Sequence, residues 1–218
     1  MELLTDPAAI TTRSREIIAG RLGSLAGTAA EKEIIYQAVH ASGDLGLAGM
    51  LLIDPRAVTL GIEALQRGAA VITDVEMVRA GISKKLAGSL GVKTYCAIGE
   101  PETASLAAAA GITRAMAAIR RQADRLPGAV VAIGNAPTAL LEVLRLAEGG
   151  QVPSMIVGVP VGFVGAAEIK EMLAASPWPY ITVAGPRGGS TVAVSVINAL
   201  LRLATGDAGG ESEGSRDG

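Results

Sequence analysis

A single histidine, His40, is the one side chain among 218 residues whose ordinary proton affinity suits acid–base chemistry near neutral pH. It lies near the end of segment 31–44, EKEIIYQAVHASGD, whose apolar residues recur with helical spacing. Backbone carbonyls in a last helical turn favour imidazolium, which suits a proton donor. Gln37 lies three residues earlier and shares its face. A histidine that only caps its helix is the alternative, and position alone leaves both interpretations open.

Further candidate binding groups stand at predicted turns and helix starts. Ser14 belongs to the polar run TTRSR, which could cap a helix or meet an anionic ligand. Asn135 lies in the turn GNAPT, whose backbone amides are either structural or free to bind an anion. Arg187, in the loop GPRGG, could hold a carboxylate in a bidentate manner. Arg114 interrupts an alanine-rich helix, and each arginine could equally be a solvated side chain.

Composition and motifs exclude several classes of protein. A formal net charge of −2, with few aromatic residues, provides no footprint for nucleic acid. The single cysteine, Cys96, excludes an intramolecular disulfide, and the absence of a cysteine–histidine cluster excludes a structural zinc site. Neither a Walker loop nor GxGxxG is present. The N-terminus lacks the features of a signal peptide and no apolar run suits a membrane span, so we expect a cytoplasmic protein.

Short apolar segments alternate with helical segments along most of the chain, which is typical of a parallel sheet. They predict an α/β fold, a doubly wound, mainly parallel sheet of about five strands with helices on both faces. The predicted strands are 69–73, 93–98, 129–133, 155–159 and 180–184. We expect one domain over residues 1–204 and a flexible polar tail over 205–218.

Ligands of such sheets bind beyond the carboxyl ends of the strands. Four turns should converge there: Thr73-Asp74 and the segments 134–137, 159–165 and 185–190. The sequence therefore predicts an anionic small-molecule site at this edge of the sheet. The side chains that we expect to contact the ligand there are those of Thr73, Asp74, Asn135 and Arg187.

Four motifs of this chain resemble the precorrin-8X methylmutase family, whose members are also called cobalt-precorrin-8 methylmutases. The resemblance runs in order from about residue 10 to residue 203 and is most specific in the last two motifs. The motifs are VHASG (39–43), DVEMV (74–78), AIGNAPTAL (132–140) and GVPVGFVGAAE (158–168).

The resemblance implies an isomerase of cobalamin biosynthesis. Such an enzyme moves a methyl group from C11 to C12 of precorrin-8X or cobalt-precorrin-8, giving hydrogenobyrinate or cobyrinate without a metal or organic cofactor. The family's catalytic histidine falls on His40, which would protonate the ring C region. Family substrate contacts fall on Ser14, on Gln37, where other members can carry an arginine, and on Arg114, which would reach across a homodimer interface.

Two other functions stay open on the residues alone. One is a nucleotide- or phosphosugar-binding α/β enzyme that uses residues 134–138 as its anion loop. The other is a non-catalytic corrinoid carrier that holds the product without making it.

Overall fold

The computed structural model describes residues 4–206, and within them one six-stranded sheet runs through the molecule. The strand order is β1-β6-β5-β4-β2-β3, in which β1 pairs antiparallel to β6 and all other pairs are parallel. The strands are β1 Leu51–Ile53, β2 Val71–Thr73, β3 Thr94–Tyr95, β4 Val130–Ile133, β5 Met155–Gly158 and β6 Tyr180–Val183.

The prediction of a doubly wound, mainly parallel sheet is confirmed. Strand residues alternate between two hydrophobic cores, with Val130 and Ala132 in one and Val131 and Ile133 in the other. Both faces of the sheet are therefore covered, which explains why the central strands are apolar throughout. All five predicted strands are present. The sixth, β1, was not predicted, because three residues with a half-exposed centre at Leu52 give no recognisable pattern.

Ten α-helices lie within residues 4–206. Helices α2, α3, α4, α5 and α10 contribute to one core, and α7, α8 and α9 contribute to the other. Two short 3₁₀ helices occupy Leu45–Gly49 and Ala123–Arg125. The α-helices are α1 Pro7–Leu22, α2 Ala29–Ser42, α3 Ala57–Gln66, α4 Glu76–Gly81, α5 Lys84–Ser89, α6 Pro101–Ala110, α7 Arg114–Arg120, α8 Pro137–Glu148, α9 Ala166–Ala174 and α10 Ser190–Thr205.

Some helix boundaries differ from the sequence prediction. The polar run 11–15 does not cap α1, because the Asp6 side chain accepts from the Ala9 amide and caps the helix. The alanine-rich segment forms two helices, since Gly111 ends α6 in the left-handed conformation. Helix α5 was not predicted. Residues 207–218, most of the expected polar tail, lie outside the described residues.

The chain reverses direction across the sheet between β2 and β4. From β2 it passes to β3 at the sheet edge and then returns to β4 on the other side of β2. Such a switch point opens a crevice at the carboxyl ends of the two strands. The turn at Asp74 and the turn at 134–136 meet there.

Candidate active site

His40 lies in the last turn of α2, on the face that points away from the core. The helix begins with a capping box between Thr28 and Glu31 and ends at Gly43, which adopts the left-handed conformation. Ile34 and Ala38 are fully buried in the core, and α2 packs against α10. His40 itself is exposed, as the predicted apolar stripe requires.

The imidazole of His40 stacks on the ring of Tyr36, one turn earlier in α2. The ring centroids are 5.8 Å apart and the planes differ by 23°. Tyr36 is buried, and its hydroxyl has no hydrogen-bond partner among the described residues. Burial raises the pKa of the Tyr36 phenol. The phenol ring therefore lies beside the imidazole, and His40 stays exposed to solvent.

A hydrogen-bonded group of polar side chains surrounds Tyr36. The Arg15 guanidinium of α1 lies 4.1 Å from the Tyr36 ring centroid and donates to both Glu33 carboxylate oxygens, at 3.0 and 3.2 Å. The Gln37 amide donates to Glu33 at 2.7 Å. Burial works to raise the pKa of Glu33, but Arg15 and Gln37 outweigh it and hold this pKa below its usual value. Ser14 is half-buried on α1, next to Arg15.

Asp74 occupies the crevice between β2 and β4. Its side chain is fully buried, and its carboxylate accepts from the backbone amides of Gly134 at 3.1 Å, Asn135 at 2.8 Å and Ala136 at 2.8 Å. The turn 134–136 therefore binds an anion, but that anion is the protein's own carboxylate. Burial raises the pKa of Asp74, against the opposing effect of the three amides.

Two of the residues that we expected to contact ligand at this edge have internal roles instead. Asp74 is engaged by the turn, and Thr73 is fully buried, with its hydroxyl donating to the Val75 carbonyl at 3.3 Å or the Tyr95 carbonyl at 3.2 Å. A strand that is covered on both faces buries its last side chain, which explains the difference. Asn135 is exposed and keeps its side chain available. Gly134 allows this arrangement, since a Cβ there would lie 2.8 Å from Ser190 Cα of α10.

Arg187 links the loop after β6 to the end of α2. Its Nη1 lies 3.1 Å from Asp44 Oδ2 and 3.6 Å from Met50 Sδ. Asp44 stands four residues after His40, and β1 pairs Leu51 with Val183 at the carboxyl end of β6. The end of α2 and the Arg187 loop therefore lie together at the carboxyl edge of the sheet.

Arg114 is exposed at the start of α7, on the β3 side of the molecule. Its Nη2 donates to the Ile98 carbonyl at 2.9 Å, in the loop that follows β3. Within one chain, this contact holds the guanidinium at the carboxyl edge of β3 but does not bring it to α2. The predicted residues thus form three groups along this edge: Arg114 near β3, Asn135 above β4, and the α1, α2 and Arg187 group beside β6.

The loop after β5 exposes apolar side chains at the same edge. Phe163 is 96% exposed and Val164 is 90% exposed. Two hydrogen bonds fix the base of this loop against the loop after β6: the Gly189 amide donates to the Val159 carbonyl at 2.8 Å, and the Gly162 amide donates to the Pro186 carbonyl at 3.1 Å. An apolar surface therefore stands beside the Arg187 loop, as a large apolar ligand with charged substituents would require.

The described residues contain neither a metal-binding cluster nor a membrane-spanning helix. Among residues 4–206, no group of three or more histidine, cysteine, aspartate or glutamate side chains could hold a metal ion. No helix in the same part of the chain is long and apolar enough to cross a membrane.

The fold is that of an open α/β protein, a class whose small-molecule sites lie at the carboxyl ends of the strands. The precorrin-8X methylmutase family model matches residues 9–203, and the chain belongs to that family. Its relatives are methylmutases of cobalamin biosynthesis, which are isomerases, so the chain is an enzyme.

Individual relatives cover nearly the whole chain. A cobalt-precorrin-8 methylmutase of Priestia megaterium is 39% identical over 98% of this chain and 94% of its own. A precorrin-8X methylmutase of Sinorhizobium is 38% identical over 92% of this chain and 97% of its own. The crystal structure of a precorrin-8X methylmutase from Thermus thermophilus superposes with a TM-score of 0.85 at 31% identity, covering 92% of this chain and all of the other.

Sequence reasoning missed several residues that shape the site. Tyr36 and His40, and likewise Glu33 and Gln37, are four apart in one helix, so helical spacing could have paired them. The pairing of Asp44 with Arg187 spans most of the chain and carries no local signal.

Proposed function

We propose that this enzyme moves a methyl group from C11 to C12 of a corrinoid acid, precorrin-8X or its cobalt form. The product would be hydrogenobyrinate or cobyrinate. The names of the relatives support this substrate, because they include both precorrin-8X and cobalt-precorrin-8 methylmutases. In this proposal His40 donates a proton to the ring C region as the methyl group migrates and recovers it when the rearranged ring is released.

The placement of His40 is the observation that carries the proposal. The only histidine of the chain is exposed in a last helical turn and stacks on Tyr36, with ring centroids 5.8 Å apart. A positioned general acid contributes about 10²- to 10⁴-fold in rate, and an intramolecular methyl shift needs little beyond that and a fixed substrate conformation.

The exposed polar residues of the edge fit the carboxylate fringe of a corrinoid. The contact of Arg187 with Asp44 is made by Nη1, so other N–H groups of the guanidinium can still bind a ligand. A guanidinium binds a carboxylate through two parallel hydrogen bonds. We propose Arg187, Arg114 and Asn135 as carboxylate contacts, with Ser14 and Gln37 beside the ring. The exposed Phe163 and Val164 offer apolar area for the macrocycle or for a second subunit.

We further propose that the enzyme works as a homodimer. Helix α1 runs over sixteen residues, and none of them is buried in the single chain. Its apolar Ile10 and Ile17 are 42% and 48% exposed. A helix that buries no residue gains little from its own chain, so packing against a second copy would account for it. In such a dimer Arg114 could reach the site of the partner.

The structure disfavours one alternative. A nucleotide enzyme would need the amides of residues 134–136 for a phosphate, but Asp74 already engages all three. A corrinoid carrier remains a specific alternative to be tested, because it would bind the product without forming it.

The test is spectroscopic. Purified protein and its His40→Ala variant are incubated with precorrin-8X and, separately, with cobalt-precorrin-8. The methyl group at C11 interrupts conjugation, so its departure lengthens the chromophore and moves the visible absorption to longer wavelength.

We expect the shift with the wild type and a loss of about 10²-fold or more in rate with His40→Ala. Equal rates from both proteins would show that His40 is not the proton donor. Tight binding of product without turnover by the wild type would establish the carrier function instead.

A further inference from the structure

Lys170 is a buried lysine that the proposed chemistry does not use. It lies on α9, its side chain is only 2% exposed, and its Nζ donates to the Arg187 carbonyl oxygen at 2.6 Å. Burial lowers the pKa of its ammonium group to about 8. A buried ammonium destabilises a fold unless its contacts compensate, so the residue calls for an explanation other than packing.

Lys170 donates its hydrogen bond to the loop after β6, which other hydrogen bonds fix at both ends. The Gly189 amide holds one end to the Val159 carbonyl, and the Pro186 carbonyl holds the other to the Gly162 amide. Gly188 has a φ of +145°, and a Cβ there would lie 2.3 Å from the Val159 oxygen, so only glycine fits. The hydrogen bond from Lys170 to Arg187 fixes the middle of this loop.

Lys170 binds the backbone of Arg187, and the side chain of Arg187 reaches the end of α2. The Arg187 guanidinium pairs with Asp44 at 3.1 Å. Asp44 in turn accepts from the Gly46 amide at 2.9 Å and caps the 3₁₀ helix that follows the His40 helix. A single chain of contacts therefore runs from α9 through the Arg187 loop to the end of α2.

We propose that Lys170 is a positioning residue, which fixes the Arg187 loop so that the guanidinium meets a substrate carboxylate beside His40. The inference rests on the proposed function of the site. Lys170 acts on the substrate only through Arg187, because its side chain is enclosed within the protein. Its loss should therefore weaken substrate binding and leave the chemical step nearly unchanged.

The test is a double-mutant cycle with corrinoid turnover as the assay. Wild type, Lys170→Met, Arg187→Ala and the double variant are compared for KM and kcat at pH 7. Lys170→Met should raise KM about tenfold, as expected for a displaced charge-assisted contact, with kcat within about twofold. The double variant should match Arg187→Ala, because Lys170 has no effect once the arginine is absent.

Two controls separate positioning from general loss of structure. Lys170→Met loses one hydrogen bond but also the cost of a buried ammonium, so the melting temperature should fall by no more than about 3 °C. Ile169→Val, at the neighbouring buried position of α9, should leave KM unchanged. If Lys170→Met does not fold, Lys170→Gln takes its place in the same cycle.

An unchanged KM in Lys170→Met, or effects of the two single substitutions that multiply in the double variant, would overturn the inference while leaving the proposed function intact. If the wild type itself neither converts nor binds either corrinoid, the proposed function fails, and the inference fails with it.

Discussion

Replacement of Asp74 by alanine should both destabilise the protein and weaken substrate binding. The Asp74 carboxylate is the common acceptor for three consecutive amides of the turn that leads from β4 to α8. No other acceptor is bonded to these amides among the residues that the structure describes. The substitution leaves them without a partner and frees the turn that carries Asn135.

The size of the effect follows from the burial of each amide. The Gly134 N–H is buried, and a buried donor without an acceptor costs about 1–3 kcal/mol. The amides of Asn135 and Ala136 are partly exposed and can turn to water, which limits their loss to about 1 kcal/mol each. Removing a buried charge offsets part of this sum. We expect a net loss of about 3 kcal/mol, or a melting temperature lower by about 9 °C.

The assay is urea unfolding at fixed protein concentration, with two control variants. Asp74→Asn keeps one oxygen for the two shorter bonds and should lose about half as much stability as Asp74→Ala. Glu76→Ala removes an exposed carboxylate two residues away and should stay within about 0.5 kcal/mol of the wild type. If Asp74→Ala is as stable as Glu76→Ala, the carboxylate does not hold the turn, and the reasoning is refuted.

Two further predictions concern the group around His40. Tyr36→Phe removes a buried hydroxyl that lacks a partner, so it should raise stability by about 1 kcal/mol without lowering turnover; a fall in turnover would show that the hydroxyl binds the substrate or a second subunit. Glu33→Gln removes a carboxylate whose pKa is held below its usual value of 4.5. Above that pH the wild type should therefore be more stable than the variant by about 0.5 kcal/mol. This difference should disappear as the pH falls through the pKa of Glu33 in the folded state. A stability difference that stays constant between pH 7 and pH 3 in chemical unfolding would contradict the second prediction.

The central strands and the His40 helix could be predicted because their signals are local. A strand buried on both faces is a continuous apolar run, as in Val130–Ile133, and the helix shows its apolar face through spacing alone. Strand β1 could not be predicted, because its three residues form a strand only through pairing with β6, over a hundred residues later.

The location of the candidate site stays a prediction, and its internal contacts could not be predicted from the sequence. Asp74 follows a strand and precedes a helix, a position that suits either a ligand contact or a clamp on a neighbouring turn. The choice depends on residues sixty positions away, to which the sequence gives no clue. Lys170 reads as an ordinary surface lysine in the helix AAEIKEMLA, and only the loop folded over it reveals its burial.

Asp74 and Lys170 suggest that buried and exposed charged residues of the candidate site have different roles. Each is a buried charged side chain whose hydrogen bonds go to backbone groups of a turn at the carboxyl edge. The exposed residues, His40 and Arg187 among them, stand on the elements that these turns connect. Substitution of a buried charge should therefore act mainly on substrate affinity, through the shape of a turn, whereas substitution of His40 should act mainly on the rate. Binding and chemistry are separate steps, so we expect the buried charges to determine how well the substrate is held and His40 to determine how fast it reacts.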